Sequence, residues 1–163
     1  MVKITQKITP FLTFDKEAEE AAKFYTSVFK DSSIDGISRY GEGAPAPKGS
    51  IMTVSFTLFG IKFTALNAGP SPNFKFTDGV SFAVSCASQE EVDYYWSKLT
   101  EGGQEVACGW LKDKFGLAWQ ITPVRLIELI TDKDPEKAKR VMQAMMKMIK
   151  IDLPTIEKAA AGE

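Results

Sequence analysis

Asp78–Pro123 reads DGVSFAVSCASQEEVDYYWSKLTEGGQEVACGWLKDKFGLAWQITP. Val80–Cys86 is a short, largely apolar run that reads as a strand. Ser88-Gln89-Glu90-Glu91 has the S-x-x-E form of a capping box, in which the serine hydroxyl and the glutamate carboxylate satisfy free N–H groups of a helix start. Val92, Tyr95/Trp96 and Leu99 then recur at helical spacing, and Gly102-Gly103 ends the helix. Short strands follow at 104–111 and 117–122, with Lys112-Asp113-Lys114 as the hairpin between them. Strand, helix and several strands make one module.

A weaker copy precedes it. Ile8–Phe14 reads as a strand, with Pro10 pointing to an edge or a bulge. Asp15 opens a helix over Lys16–Phe29 whose buried stripe is Ala18, Ala21, Phe24/Tyr25 and Val28. Ile34–Tyr40 is the next strand. The loop Gly41–Gly49 mixes glycine and proline and reads as mobile or lid-like. In Ser50–Phe59, Met52, Val54, Phe56 and Leu58 alternate with Thr53, Ser55 and Thr57, the signature of a half-buried strand. Gly60 turns the chain into Ile61–Asn67, and Ala68–Asn73 is the best linker in the sequence. Sliding the chain on itself lays Phe11–Phe14 over Phe82–Ser85, Glu19-Glu20 over Glu90-Glu91, Phe24-Tyr25 over Tyr95-Trp96, and Val28 over Leu99. A second slide lays Phe59–Thr64 over Phe115–Gln120. The expected fold class is therefore α+β, with two βαβββ modules at 5–67 and 79–123, a linker at 68–78, and C-terminal helices over 124–161. All of it is expected to form one domain across 1–163. The C-terminal part begins with a helix at Val124–Thr131. Asp134-Pro135-Glu136 then starts a helix through about Lys150, with a stripe of Val141, Met142, Met145, Met146, Met148 and Ile149, expected to pack on the modules or on a second subunit. A last helix covers Leu153–Ala161.

Composition narrows the chemistry. The chain contains no histidine, which excludes Ser-His-Asp and Cys-His catalysis, the two-His-one-carboxylate iron site and His-based zinc sites. Any general base must be a carboxylate, lysine, tyrosine or cysteine. A formal charge of −1 gives neither a nucleic-acid footprint nor a polybasic membrane patch. No run of about 18 apolar residues is present to cross a membrane. The N-terminus has no signal-peptide h-region, so the expected location is cytoplasmic. Cys86 and Cys108 form no C-x-x-C pair and read as buried free thiols.

Taken together, ITPFLTFD, AEEAAKFYTSVF, ISRYGEG, ALNAGP, FKFTDGVSF, SCASQEEVDYYW and CGWLKDKFGLAWQITP resemble the PhnB-like branch of the glyoxalase/bleomycin-resistance/dioxygenase (vicinal oxygen chelate) superfamily. That branch is often labelled 3-demethylubiquinone-9 3-methyltransferase. With DKDPEKAKRVMQAMMKMIKID the resemblance extends over about residues 5 to 155. Metal-dependent members of the superfamily carry ligands on the first and last strand of each module. The resemblance places those positions near Pro10 and Thr64, and near Ser81 and Gln120, with an uncertainty of about one residue. Of these only Gln120 is a ligand type the superfamily uses, so no metal and no cofactor are expected. Nor is there a G-x-G-x-x-G turn of the kind that binds nucleotide cofactors.

By alternation Gln120, Ala118 and Thr122 face a concave surface with Ser81, Ala83 and Ser85, while Trp119, Ile121, Phe82 and Val84 face the core. Candidate ligand-binding residues are Arg39, Tyr40, Glu42, Asn67, Ser81, Trp110, Lys112 and Gln120, with Asp113 also at the rim. Superfamily relatives commonly pair modules between chains, which implies a homodimer. Three readings stand: a metal-independent module binding a small organic molecule; an enzyme using Glu42, Lys112 or Tyr40 as acid/base on an oxygenated substrate; and a structural partner protein.

Overall fold

The alternation in the first half becomes a mixed sheet under one helix. The computed structural model describes residues 4–163, so Met1–Lys3 of the N-terminal stretch lie outside the described residues. The chain separates into two compact units that divide after Lys75, within the linker region. In the first, β1 (Phe11–Phe14), α1 (Ala18–Val28), β2 (Ser32–Arg39), β3 (Ile51–Leu58) and β4 (Ile61–Asn67) form a sheet of order β1-β4-β3-β2. β1 runs parallel to β4; the other pairings are antiparallel. Leu12, Phe14, Val54, Phe56, Phe63 and Ala65 are buried on the side that also carries Ala21, Ala22, Tyr25 and Val28 of α1. Tyr25 stacks on Phe56, and Phe56 on Phe63. Phe59 and Gly60 both take positive φ, which lets a two-residue hairpin follow the twist of the strands it joins.

Two local expectations change. β1 begins at Phe11, after Pro10, whose carbonyl accepts from Thr64 N–H; a residue without an N–H ends up beside the ladder rather than inside it. Asp15 does not cap α1. The N-cap position is Glu17, with no side-chain cap, and Asn67 Oδ1 accepts from Ala18 N–H at 2.8 Å from across the sheet.

The second unit repeats the order with β5 (Ser81–Cys86), α2 (Gln89–Thr100), β6 (Gln104–Glu105), β7 (Trp110–Lys112) and β8 (Ala118–Pro123), in sheet order β5-β8-β7-β6. Ser88 caps α2 as expected, accepting from Glu91 N–H, while the Glu91 carboxylate accepts from Ala87 N–H. Val92 and Leu99 of α2, Leu111 of β7 and Ile121 of β8 are fully buried. Each such aliphatic side chain contributes about 2 kcal/mol. Glu105 belongs to the same side of the sheet, where its carboxylate accepts from Trp96 Nε1 at 2.6 Å.

Three helices follow: α3 (Val124–Ile130), α4 (Pro135–Met145) and α5 (Leu153–Ala161). They enclose Leu126, Leu129, Val141, Ile151, Ile156 and Ala160, with Met145 and Met148 packed against them. α4 ends earlier than the expected Lys150, because the next carbonyls serve a different partner: Cys108 and Gly109 donate their N–H groups to Met148 and Ile149. The methionine stripe therefore splits, and Met142, Met146 and Ile149 are exposed.

Gly103 lies where this sheet leaves no room for a side chain. A Cβ there would stand 2.1 Å from the carbonyl oxygen of Lys112. Gly103→Ala should lower stability by about 3 kcal/mol, measured by urea unfolding, whereas Gly36→Ala, with open space around it, should cost far less.

Candidate functional site

Each module has its helix on one face of its sheet, and pairing register states what the other face carries. In the second module Ser81, Ala118 and Lys112 lie side by side across β5, β8 and β7, and Ala83, Gln120 and Trp110 form the next row. The alternate rows, Phe82–Trp119–Leu111 and Val84–Ile121, form the core side. The burial agrees: Trp119 is 3% exposed, whereas Ser81, Trp110, Lys112 and Gln120 are half-buried. Gln120 Nε2 donates to Ser81 Oγ at 2.9 Å. Lys112 Nζ lies 3.1 Å from Asp78 Oδ1. Four of the eight candidate residues are thus brought onto one face of the sheet, where Ala83 is exposed and Ala118 is buried. Asp78 joins them, although the sequence marked it only as part of a turn.

Asp113, expected at the rim, is instead 2% exposed. Its carboxylate accepts from the N–H groups of Phe115 and Leu117 and from Trp119 Nε1 at 2.9 Å. It ties the β7–β8 hairpin to the core indole. A buried carboxylate is tolerable when several donors surround it in this way.

The other four candidates belong to the first module, around the loop between β2 and β3. Tyr40 Oη donates to the carbonyl of Asn67 at 2.5 Å, and Arg39 Nη1 donates to that of Gly49. Asn67 spends its own amide on Ala18 and on the Ile51 carbonyl. Glu42 pairs with Lys48 at 3.3 Å, both highly exposed. The loop is closed at its base by backbone bonds between Tyr40 and both Gly49 and Ser50. Arg39, Tyr40 and Asn67 therefore brace a turn. The open face of this sheet carries hydroxyls, among them Thr53, Ser55 and Thr64. At its margin Asp35 accepts from Thr57 and Ser33, and these bonds hold its carboxyl below the usual range.

Strand register also tests the inherited metal positions. Phe11 stands opposite Thr64, as Ala83 stands opposite Gln120. β1 and β5 thus correspond one residue away from the overlay of Phe11 on Phe82, although the helices keep the overlay of Tyr25 on Trp96 and Val28 on Leu99. The counterpart of Ser81 is Thr9 rather than Pro10. Threonine, serine and one glutamine amide are a poor donor set for a divalent ion. Among the described residues no three His, Cys, Asp or Glu side chains are grouped to hold one. The residues present do not fit the superfamily's metal.

Residues 6–122 match the family model described as 3-demethylubiquinone-9 3-methyltransferase. The chain belongs to this family. It is a PhnB-like member of the glyoxalase/bleomycin-resistance superfamily, with the superfamily's paired βαβββ modules. The match stops short of the extent to about residue 155 that the resemblance implied, and α3, α4 and α5 lie beyond it. A PhnB protein from Bacillus cereus, provisionally described as a 3-demethylubiquinone-9 3-methyltransferase, is 40% identical with a TM-score of 0.67, covering 73% of this chain and 100% of that one. A Pseudomonas aeruginosa protein at 22% identity (TM-score 0.60, 73% and 98% covered) shares the fold. So does the fosfomycin resistance protein FosX of Listeria monocytogenes at 14% identity (TM-score 0.50, 74% and 94% covered). No curated protein matches.

The two cysteines of this PhnB-like chain are both free, and they differ in access. Cys86 is 1% exposed, and burial, with Glu91 nearby, pushes its thiol up to about 12. Cys108 is half-buried. A chromogenic disulfide reagent at pH 8 should titrate Cys108 alone in the native protein and both thiols in urea; fast native labelling of Cys86 would contradict the burial described.

Proposed function

We propose that this PhnB-like protein binds a small, oxygenated organic molecule on the open face of β5, β8 and β7, without a metal ion. The observation that carries this reading is the placement of Trp110. Trp96 and Trp119 are buried, while the Trp110 indole is half-buried on the open strand face beside Gln120 and Ser81. An aromatic plane for stacking, an amide and a hydroxyl for hydrogen bonding, and the exposed methyl group of Ala83 are the makings of a ligand site. The same reading includes a homodimer and, with two free thiols, a cytoplasmic location.

A second reading comes from the family's description, which names methyl transfer. In this chain the connection from β1 to α1, Asp15-Lys16-Glu17, contains no glycine, unlike the phosphate-cradling turns that bind nucleotide cofactors. As an enzyme the protein would draw its acid or base from Lys112, Tyr40 or Glu42, each of which is engaged here, Lys112 with Asp78, Tyr40 with Asn67 and Glu42 with Lys48.

The two readings separate experimentally. Saturation-transfer NMR with a mixture of small aromatic and oxygenated fragments, in the presence of EDTA, should give signals that Trp110→Ala removes. Trp110→Phe should abolish most of the acrylamide-quenchable tryptophan emission. Signals that persist in Trp110→Ala, or that require an added divalent metal, would retire the proposal.

A further inference from the structure

α3, α4 and α5 lie beyond the residues that match the family, yet the chain between α4 and α5 returns to the second sheet. Residues 148–151 run across it as a strap. On one side Cys108 and Gly109 donate their N–H groups to the carbonyls of Met148 and Ile149, both at 2.8 Å. Gly109 also accepts from Ile121 N–H of β8, and the strap covers it so closely that a Cβ there would stand 3.1 Å from Ile151 Cγ1. On the other side Gln89, at the start of α2, donates to the Ile151 carbonyl and accepts from Leu153 N–H. Asp93, one turn further along α2, accepts from Lys150 Nζ. The strap therefore joins α2 to the two residues that immediately precede Trp110, the first residue of β7.

Those two residues are held against a local preference. Cys108 has a φ of 55°, in the left-handed region, where a side chain costs free energy that the surrounding structure must offset. Its hydrogen bond to Met148 and that of Gly109 to Ile149 secure the conformation. The strap's hold on α2 is the weaker attachment, because Lys150 and Asp93 are partly exposed and Gln89 is only half-buried. We propose that residues 148–151 are a two-position strap. Seated, it fixes Trp110 on the open face; lifted from α2, it lets Cys108 relax to negative φ and the indole swing away. Lifting uncovers the buried Ile151, which keeps the lifted state a minor one. The proposal rests on the reading of Trp110 as the group that stacks on a ligand. By linkage, a ligand that needs the seated indole also holds the strap down.

Amide exchange and the tryptophan indole signals of the full chain, followed by NMR, test the strap without any ligand. Gln89→Ala combined with Lys150→Ala cuts the attachment to α2 and leaves every sheet residue in place. The Cys108 and Gly109 amides should then exchange about tenfold faster. The Trp110 indole signal, assigned with Trp110→Phe, should shift while that of Trp119 stays. Adding Cys108→Gly, which removes the left-handed cost, should slow exchange at Gly109 again by about threefold. Unchanged exchange at Cys108 and Gly109, or a Trp110 signal indifferent to the double variant, would overturn the strap. So would a uniform rise in exchange across the unit, since the attachment would then serve stability alone. Fragment binding separates the two ideas. Fragments lost in Trp110→Ala but untouched by the double variant would sink the strap and keep the binding reading. A Trp110 signal that follows the strap while no fragment binds would do the reverse.

Discussion

Parallel pairing of the first and last strands of each module, β1 with β4 and β5 with β8, is the constraint from which the rest follows. Strands that run the same way cannot be joined by a tight turn, and here the first and second strands of each module lie at opposite margins of the sheet. The connection between them must cross the whole sheet, and it does so as a helix. α1 and α2 each cover one face in crossing and bury the apolar alternates beneath them. The other face receives no helix from its own module. A surface of serine, threonine, alanine, glutamine and one indole is what remains when topology permits only a single cover.

Much of this is legible in the sequence because the deciding signals are local. The alternation in Ile51–Leu58 and Ala118–Pro123 separates core from open face within a few residues, and the Ser88 cap with Gly102-Gly103 bounds α2. The side chains that resist reading act over long separations. Asn67 closes the start of α1 from another strand, and nothing near it in sequence advertises that role. Asp113 sits in a polar triplet that looks like a solvated hairpin, yet Trp119 reaches it through the core. The one-residue slip between β1 and β5 is hidden because the helices repeat in one phase and the strands in another. A single loop residue absorbs the difference.

The same separation explains why the function is less legible than the fold. Thr64, Ser81 and Gln120 stand at or near the strand positions that the resemblance marks for ligands, but they are a poor donor set for a metal, and among the described residues no three His, Cys, Asp or Glu side chains are grouped to hold one. What survives is a scaffold that presents side chains without prescribing their chemistry. Trp110 and Lys112, the candidates that bring an indole and a charge to this face, lie on β7, next to the last strand rather than on it.

The bulge in β2 has a further consequence. β2 is an eight-residue strand at the free side of its sheet, largely exposed, with an irregularity between Ile34 and Gly36 that contains the charged Asp35. A regular strand of that length would offer a neighbouring molecule a continuous row of unpaired backbone groups, the usual template for aggregation. The extra residue breaks that row, and the carboxylate penalises any strand laid against it. β6, at the corresponding position in the other sheet, reaches the same end by being two residues long.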